Sequence, residues 1–335
     1  MAAGLTNDQV HAALQAAESC DATAVERAEM LMEIAMGLQT RPKSPSEIRS
    51  AIELYDKALT ICPTEMRLLR ARILARKATA LQAIPERGTE ALDGARDIFE
   101  DIIPMLSELG LKEEVAEAEM NLGLCVQSLA GVGRARISDA IAAYQRALRT
   151  FTRANHPKEY AILQNNLATA FLSMPMTDER GKMREALAVQ AFEEALKVVT
   201  LVDDPVEYAM LQNNLGNALQ YVSSSHVLEN NLRAIEAYNE ALKVRTRETM
   251  PLEYANTISN KANCLWNLPG HPESAETGNG MNLSTALVYY KEAREIFAEH
   301  RDVERVRIIG EAMMRIEHEL MELGASLDRA SPMQS

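Results

Sequence analysis

Aromatic residues are scarce. One Trp, nine Tyr and five Phe make up 4% of the 335 residues. Cysteine is scarce too. Cys20, Cys62, Cys125 and Cys264 stand far apart with no CxxC pair, which excludes a zinc knuckle and a disulfide framework and fits a reducing compartment. Positive charge is in deficit, with 35 Lys and Arg against 48 Asp and Glu and a net charge of −13. A phosphate backbone would be repelled, so nucleic acid is not an expected partner. No apolar run approaches the roughly 18 residues that span a bilayer, and no basic segment followed by an apolar one opens the chain. Neither a membrane nor a secretory signal is expected, and the expected location is the cytoplasm. Hydrophobic residues reach 47%, however, and charged residues 25%. With Ala, Leu, Glu and Met abundant, this is a helix-forming mixture.

Three segments repeat. Glu159-Tyr160-Ala161-Ile162-Leu163-Gln164-Asn165-Asn166-Leu167-Ala168 aligns with Glu207-Tyr208-Ala209-Met210-Leu211-Gln212-Asn213-Asn214-Leu215-Gly216. Both align with Glu253-Tyr254-Ala255-Asn256-Thr257-Ile258-Ser259-Asn260-Lys261-Ala262. Pro157, Pro205 and Pro251 sit two residues before each glutamate, where a first helical turn tolerates proline. A second phrase, Ala-Ile-x-x-Tyr-x-x-Ala-Leu, recurs at Ala51/Tyr55/Leu59, Ala140/Tyr144/Leu148 and Ala234/Tyr238/Leu242. Variants stand at Ala188/Phe192/Leu196 and Ala286/Tyr290/Ala293. Its spacing puts these residues on one face of a helix. The first phrase predicts one helix, the second its antiparallel partner. Fainter copies upstream bring the number of predicted helix pairs to six, over 24–62, 65–107, 112–154, 157–200, 205–247 and 252–299. A capping helix at about 7–18 within residues 1–23, a second within 300–325 and a disordered tail over 326–335 complete the expected organisation.

The small-x-x-x-Tyr-x-x-Ala-Leu phrase after Asn-Leu-Gly resembles the tetratricopeptide repeat, stretched beyond its usual period of about 34 residues. The run Asn213-Asn214-Leu215-Gly216-Asn217-Ala218, followed by Asn231 to Tyr238 and by Glu248-Thr249-Met250-Pro251, is similar to long bacterial repeats associated with CHAT proteases. The doubled Asn is similar to kinesin light chain. No CHAT module is expected here. The resemblance implies an all-α, right-handed superhelical solenoid of antiparallel helix pairs. It also implies a concave groove, lined by the first helix of each pair, that binds another protein or an extended peptide.

Stacked by register, the first helices place Glu33, Arg76, Asn121, Asn166, Asn214 and Asn260 in one row. Asn165, Asn213 and Ser259 precede it by one position. Thr169, Asn217 and Asn263 follow by three. Primary amides donate and accept, so such a ladder suits the backbone of an extended peptide. Comparable ladders are what the resemblance to kinesin light chain and O-GlcNAc transferase repeats implies. The alternative is that these amides tie neighbouring helices together. Arg72 and Arg76, at i and i+4, face one way and could hold a terminal carboxylate as clamp-type repeats do. A salt-bridge ladder with Glu29 and Glu117 is the alternative for them. Trp266 either stacks on a ligand or packs. Met32, Met36, Met120 and Met210 offer an adaptable apolar floor.

Catalytic constellations are not evident. His11, His156, His226, His271, His300 and His318 lie apart from one another and from the cysteines. Cys125 and Cys264 share a small-residue register with Ala80, Ala170 and Ala218. The Gly278-Asn279-Gly280 loop lacks the Lys-Ser/Thr of a phosphate loop. The least remote place for chemistry joins His271, Glu273 and Trp266. The expected function is a non-catalytic scaffold without cofactor or metal, helping to assemble a larger bacterial complex. The alternative is a ligand- or peptide-sensing subunit that governs a protease or transcription partner.

Overall fold

The computed structural model describes residues 22–40, 42, 44–85, 88–174, 180–222, 226–268 and 279–330. Among them are thirteen helices: α1 (Ala24–Thr40), α2 (Pro45–Ile61), α3 (Arg67–Gln82), α4 (Glu90–Leu109), α5 (Lys112–Gly131), α6 (Ile137–Ala147), α7 (Pro157–Leu172), α8 (Arg180–Leu196), α9 (Pro205–Tyr221), α10 (Val227–Ala241), α11 (Pro251–Trp266), α12 (Gly280–Glu299) and α13 (Val303–Ala330). Two compact units divide the chain, Met1–Met174 and Pro175–Ser335. The helix expected at 7–18, Cys20 and His11 lie outside the described residues, as do His271 and Glu273.

In the first unit α1 packs on α2, α3 on α4 and α5 on α6, and the first helices α1, α3, α5 and α7 touch in succession. In the second, α9 packs on α10, α11 on α12, and α13 closes on α12, while α9 also meets α11. Local chemistry explains the starts. Proline occupies the first turn of α2, α7, α9 and α11. Thr23 and Glu26 cap α1 reciprocally, each side chain accepting the other's backbone N–H. The last helix passes the expected boundary: residues 326–330 are helical. No proline stands between Val303 and Pro332 to end the helix at 325.

The repeated second-helix phrase buries its Ala, Tyr and Ala positions fully and leaves Leu and most of its Ile positions half-buried. Ala51, Tyr55 and Ala58 are inaccessible, as are Ala234, Tyr238 and Ala241. Close approach on the tyrosine ring has a strict consequence. A Cβ added at Gly123 would stand 2.4 Å from the Tyr144 ring, and one at Gly216 would stand 2.6 Å from Tyr238. Only glycine fits there.

Three of the buried tyrosine hydroxyls donate to amide oxygens of the preceding helix, two of them to a row of glutamines. Tyr55 donates to Gln39 Oε1 at 2.8 Å and Tyr144 to Gln127 Oε1 at 2.7 Å. Tyr238 donates to Asn217 Oδ1 at 2.8 Å, with Gln220 Oε1 at 3.3 Å. Where the aromatic residue is Phe99, the glutamine of the row is released. Gln82 then reaches from α3 to the Asn121 carbonyl oxygen on α5 at 2.6 Å. Gln127→Leu is expected to cost about 1–3 kcal/mol by leaving the Tyr144 hydroxyl unpaired, and adding Tyr144→Phe is expected to recover most of that loss. Thermal unfolding of the two single variants and the double variant checks this; additive losses would contradict it.

Candidate functional site

The row that places Glu33, Arg76 and Asn121 in register also brings α1, α3 and α5 side by side in the first unit. Their shared surface encloses a cavity of about 170 Å³. Met32 and Met36 line it from α1, Arg72, Ala75, Arg76 and Thr79 from α3, and Glu114, Glu117, Ala118 and Asn121 from α5, with Phe99 and Leu106 of α4 at its base. Apolar floor and charged walls thus meet in one place. Of the residues singled out from sequence, Arg72, Arg76, Asn121, Met32 and Met36 converge here.

The two arginines are already engaged. Arg72 Nε donates to Glu114 Oε1 at 2.6 Å and its Nη2 to Oε2 at 3.3 Å. Arg76 Nη1 donates to Glu117 Oε1 at 2.8 Å. Burial pushes the Glu114 carboxyl up, but the Arg72 bonds and the Leu111 N–H outweigh it and hold the group below the usual carboxylate range. A carboxylate clamp built on free arginines is therefore not what this geometry presents. The pairs link α3 to α5, as a salt-bridge ladder does, but shifted: Arg72 takes Glu114 instead of Glu117.

The amide rows divide by burial. Asn121 is half-buried, and its side chain makes no hydrogen bond among the described residues. On α7, Asn165 Nδ2 donates to Asn166 Oδ1 at a long 3.4 Å, and both side chains are half-buried. In the second unit Asn213 is buried, and its Oδ1 accepts the Thr257 hydroxyl at 3.1 Å. That takes it off the groove surface and ties α9 to α11. Asn217 gives its oxygen to Tyr238. Asn214, Asn260 and Asn263 remain half-buried on α9 and α11. Trp266 stands six positions after Asn260, in the row of Gln39, Gln82, Gln127 and Gln220. Its Nε1 donates to the Glu319 carboxylate at 3.0 Å, so the indole is held against α13.

Two buried features were not anticipated from sequence. Glu119 is 6% exposed and accepts two bonds of 2.7 Å from Arg146 of α6. Arg245, 7% exposed, donates from Nη1 to Thr257 Oγ1 at 3.0 Å, while its buried Nε has no hydrogen-bond partner. Burial lowers its pKa. The second carries a signal in the repeats, since Arg245 interrupts an otherwise apolar row and Thr257 follows Ile73, Ala118, Leu163 and Leu211 in another.

The cysteines sit where packing wants a small residue. Cys125 and Cys264 are fully buried, like Ala80, Ala170 and Ala218. Burial pushes their thiols up to about 11 and about 12, far from nucleophilic thiolate. His156 packs edge-on to Phe151, and His300 Nδ1 meets the Ile296 carbonyl oxygen. Among the described residues, no group of three His, Cys, Asp or Glu is arranged to hold a metal, and no helix is long and apolar enough to cross a membrane.

No family model and no curated protein matches the chain. Solved structures do. BtubC from P. vanneervenii aligns with 70% of this chain and 86% of its own at 20% identity and a TM-score of 0.50. The apo form of RapI aligns with 96% and 84% at 13% identity and a TM-score of 0.56. A signal-transduction ATPase from Pyrococcus horikoshii, with a tetratricopeptide repeat sensor, aligns with 90% of this chain and 44% of its own at 14% identity and a TM-score of 0.50. The chain has the tetratricopeptide-like fold. At these identities the likeness extends to architecture alone, an all-α solenoid of helix pairs, and a fold of this kind does not dictate a function.

Proposed function

We propose that this tetratricopeptide-like chain is a non-catalytic scaffold, and that the groove of α1, α3 and α5 receives a segment of a partner protein. One observation carries the proposal. Three successive first helices combine a concave apolar floor with charged and amide groups at its walls, the make-up of a site that anchors one side chain and orients its flanks. Methionine suits the floor because its flexible thioether side chain adapts to different occupants. No thiol or imidazole lines the cavity, and the carboxylates that line it, Glu114 and Glu117, are paired with arginine. Assembly of a larger bacterial complex is the role such a scaffold would serve. The half-buried amides of α9 and α11 would support a second contact in the other unit.

The test uses the full chain as bait in its host. Thr79→Arg places a bulky charge in the groove, and Val288→Arg alters a residue 62% exposed on α12. A partner retained by wild type and Val288→Arg, but lost with Thr79→Arg at unchanged helicity and melting temperature, is the expected result. Equal capture by both variants would remove the groove from the binding surface.

A further inference from the structure

The charge around the groove says which segment it would take, an inference that rests on the groove being the binding site. On α1, Glu29, Met32, Glu33 and Met36 follow at i, i+3, i+4 and i+7 and so share one face. Met32 and Met36 line the cavity, and Glu29 and Glu33 occupy the rows of Arg72 and Arg76. Both glutamates are exposed and have no hydrogen-bond or ion-pair partner among the described residues. The arginines have spent their charge on Glu114 and Glu117. The titratable groups that line the cavity are Arg72 and Arg76 from α3 and Glu114 and Glu117 from α5, and Glu29 and Glu33 stand beside them on the α1 face that carries Met32 and Met36. Four carboxylates against two guanidinium groups leave an acidic excess, concentrated on α1.

We infer that the α1–α3–α5 groove selects a partner segment carrying a basic side chain next to a large apolar one, not a free carboxylate. The apolar side chain enters between Met32, Met36 and Ala75 over Leu106. The volume suffices, since an engineered cavity of roughly 150 Å³ holds benzene. The lysine or arginine beside it meets Glu29 and Glu33, which no cation pairs among the described residues. Asn121 accepts from or donates to the segment's backbone at the α5 side. An incoming carboxylate fares worse on two counts. It must displace Glu114 or Glu117 from its arginine and leave that glutamate unpaired, and it must approach the two further carboxylates of α1. Part of the interaction is between exposed charges, so it weakens with salt.

The experiment selects a displayed library of short random peptides on the full chain, then measures the enriched peptides, synthesised with amidated C-termini, against three proteins: wild type, Glu29→Lys/Glu33→Lys and Met36→Gln. The two lysine substitutions fall at exposed positions, and circular dichroism checks that all three proteins melt alike. The enriched peptides are expected to pair Lys or Arg with a neighbouring large apolar residue. They are expected to bind Glu29→Lys/Glu33→Lys about tenfold more weakly and to lose affinity for Met36→Gln. Peptides rich in Asp or Glu that lose affinity for Met36→Gln but bind Glu29→Lys/Glu33→Lys more tightly would overturn the charge preference and leave groove binding intact. Peptides indifferent to both variants, or no enrichment, would overturn the preference and the groove together.

Discussion

Arg146→Met is expected to destabilise the first unit by about 2–4 kcal/mol, read by chemical denaturation followed by far-ultraviolet circular dichroism. Glu119 lies 6% exposed between α5 and α6, and Arg146 satisfies it with two parallel bonds of 2.7 Å. Removing one member of a buried pair leaves a desolvated charge, an effect of about 3–5 kcal/mol. The arginine side chain is 44% exposed, so solvent can reach part of the vacated space, and the lower range applies. Adding Glu119→Leu removes the stranded carboxylate and is expected to recover most of the loss. A loss below about 0.5 kcal/mol for Arg146→Met would mean that water solvates Glu119 as well as the arginine does.

The opposite sign is expected at Arg245. Counting four residues on from the second alanine of each second-helix phrase gives Cys62, Phe151, Val199 and Phe297, all buried, and Leu106 holds the matching place after Phe99. In the α10 copy the position is Arg245, although the backbone is the same: the N–H of Cys62, Phe151, Val199 and Arg245 each donates to the carbonyl four residues earlier. A guanidinium has been placed where the fold elsewhere puts an apolar anchor. Its Nη1 bond to Thr257 compensates only part of its desolvation, and its Nε finds no acceptor. Arg245→Met keeps a long side chain in the space and leaves the Thr257–Asn213 bond in place. It is expected to stabilise the second unit by about 1–3 kcal/mol, measured by the same denaturation. Destabilisation beyond about 1 kcal/mol would mean that the guanidinium holds α9, α10 and α11 together.

How far the sequence alone reached follows from what repeats and what does not. The Tyr-x-x-Ala phrase and the first-turn prolines recur with little change. The helix pairs were legible from them, because burial of the aromatic residue and the closeness of alanine act within a single hairpin. The groove rows were legible as positions but not as partners. Arg72 and Arg76 could be placed on one face of α3. That Glu114 would take Arg72 depends on how far α5 is displaced along α3, a property of packing between hairpins that no local pattern carries. Asn213 shows the same limit. It shares its row with Asn165 and Ser259, which are half-buried, and is itself buried because Thr257 and Arg245 offer it a polar interior. For Trp266 the choice between stacking on a ligand and packing turns on Glu319 of α13, which comes from far along the chain.

The central claim, that a partner segment lies in the groove of α1, α3 and α5, is tested most directly by site-specific photo-crosslinking in the host. A photoreactive residue at Met36 or Thr79, inside the cavity, is compared with one at Val202, 88% exposed, and one at Val288 on α12. The same partner band from Met36 and Thr79, absent from Val202 and Val288, is the predicted result. Adducts from Val202 or Val288 with none from Met36 and Thr79 would contradict it.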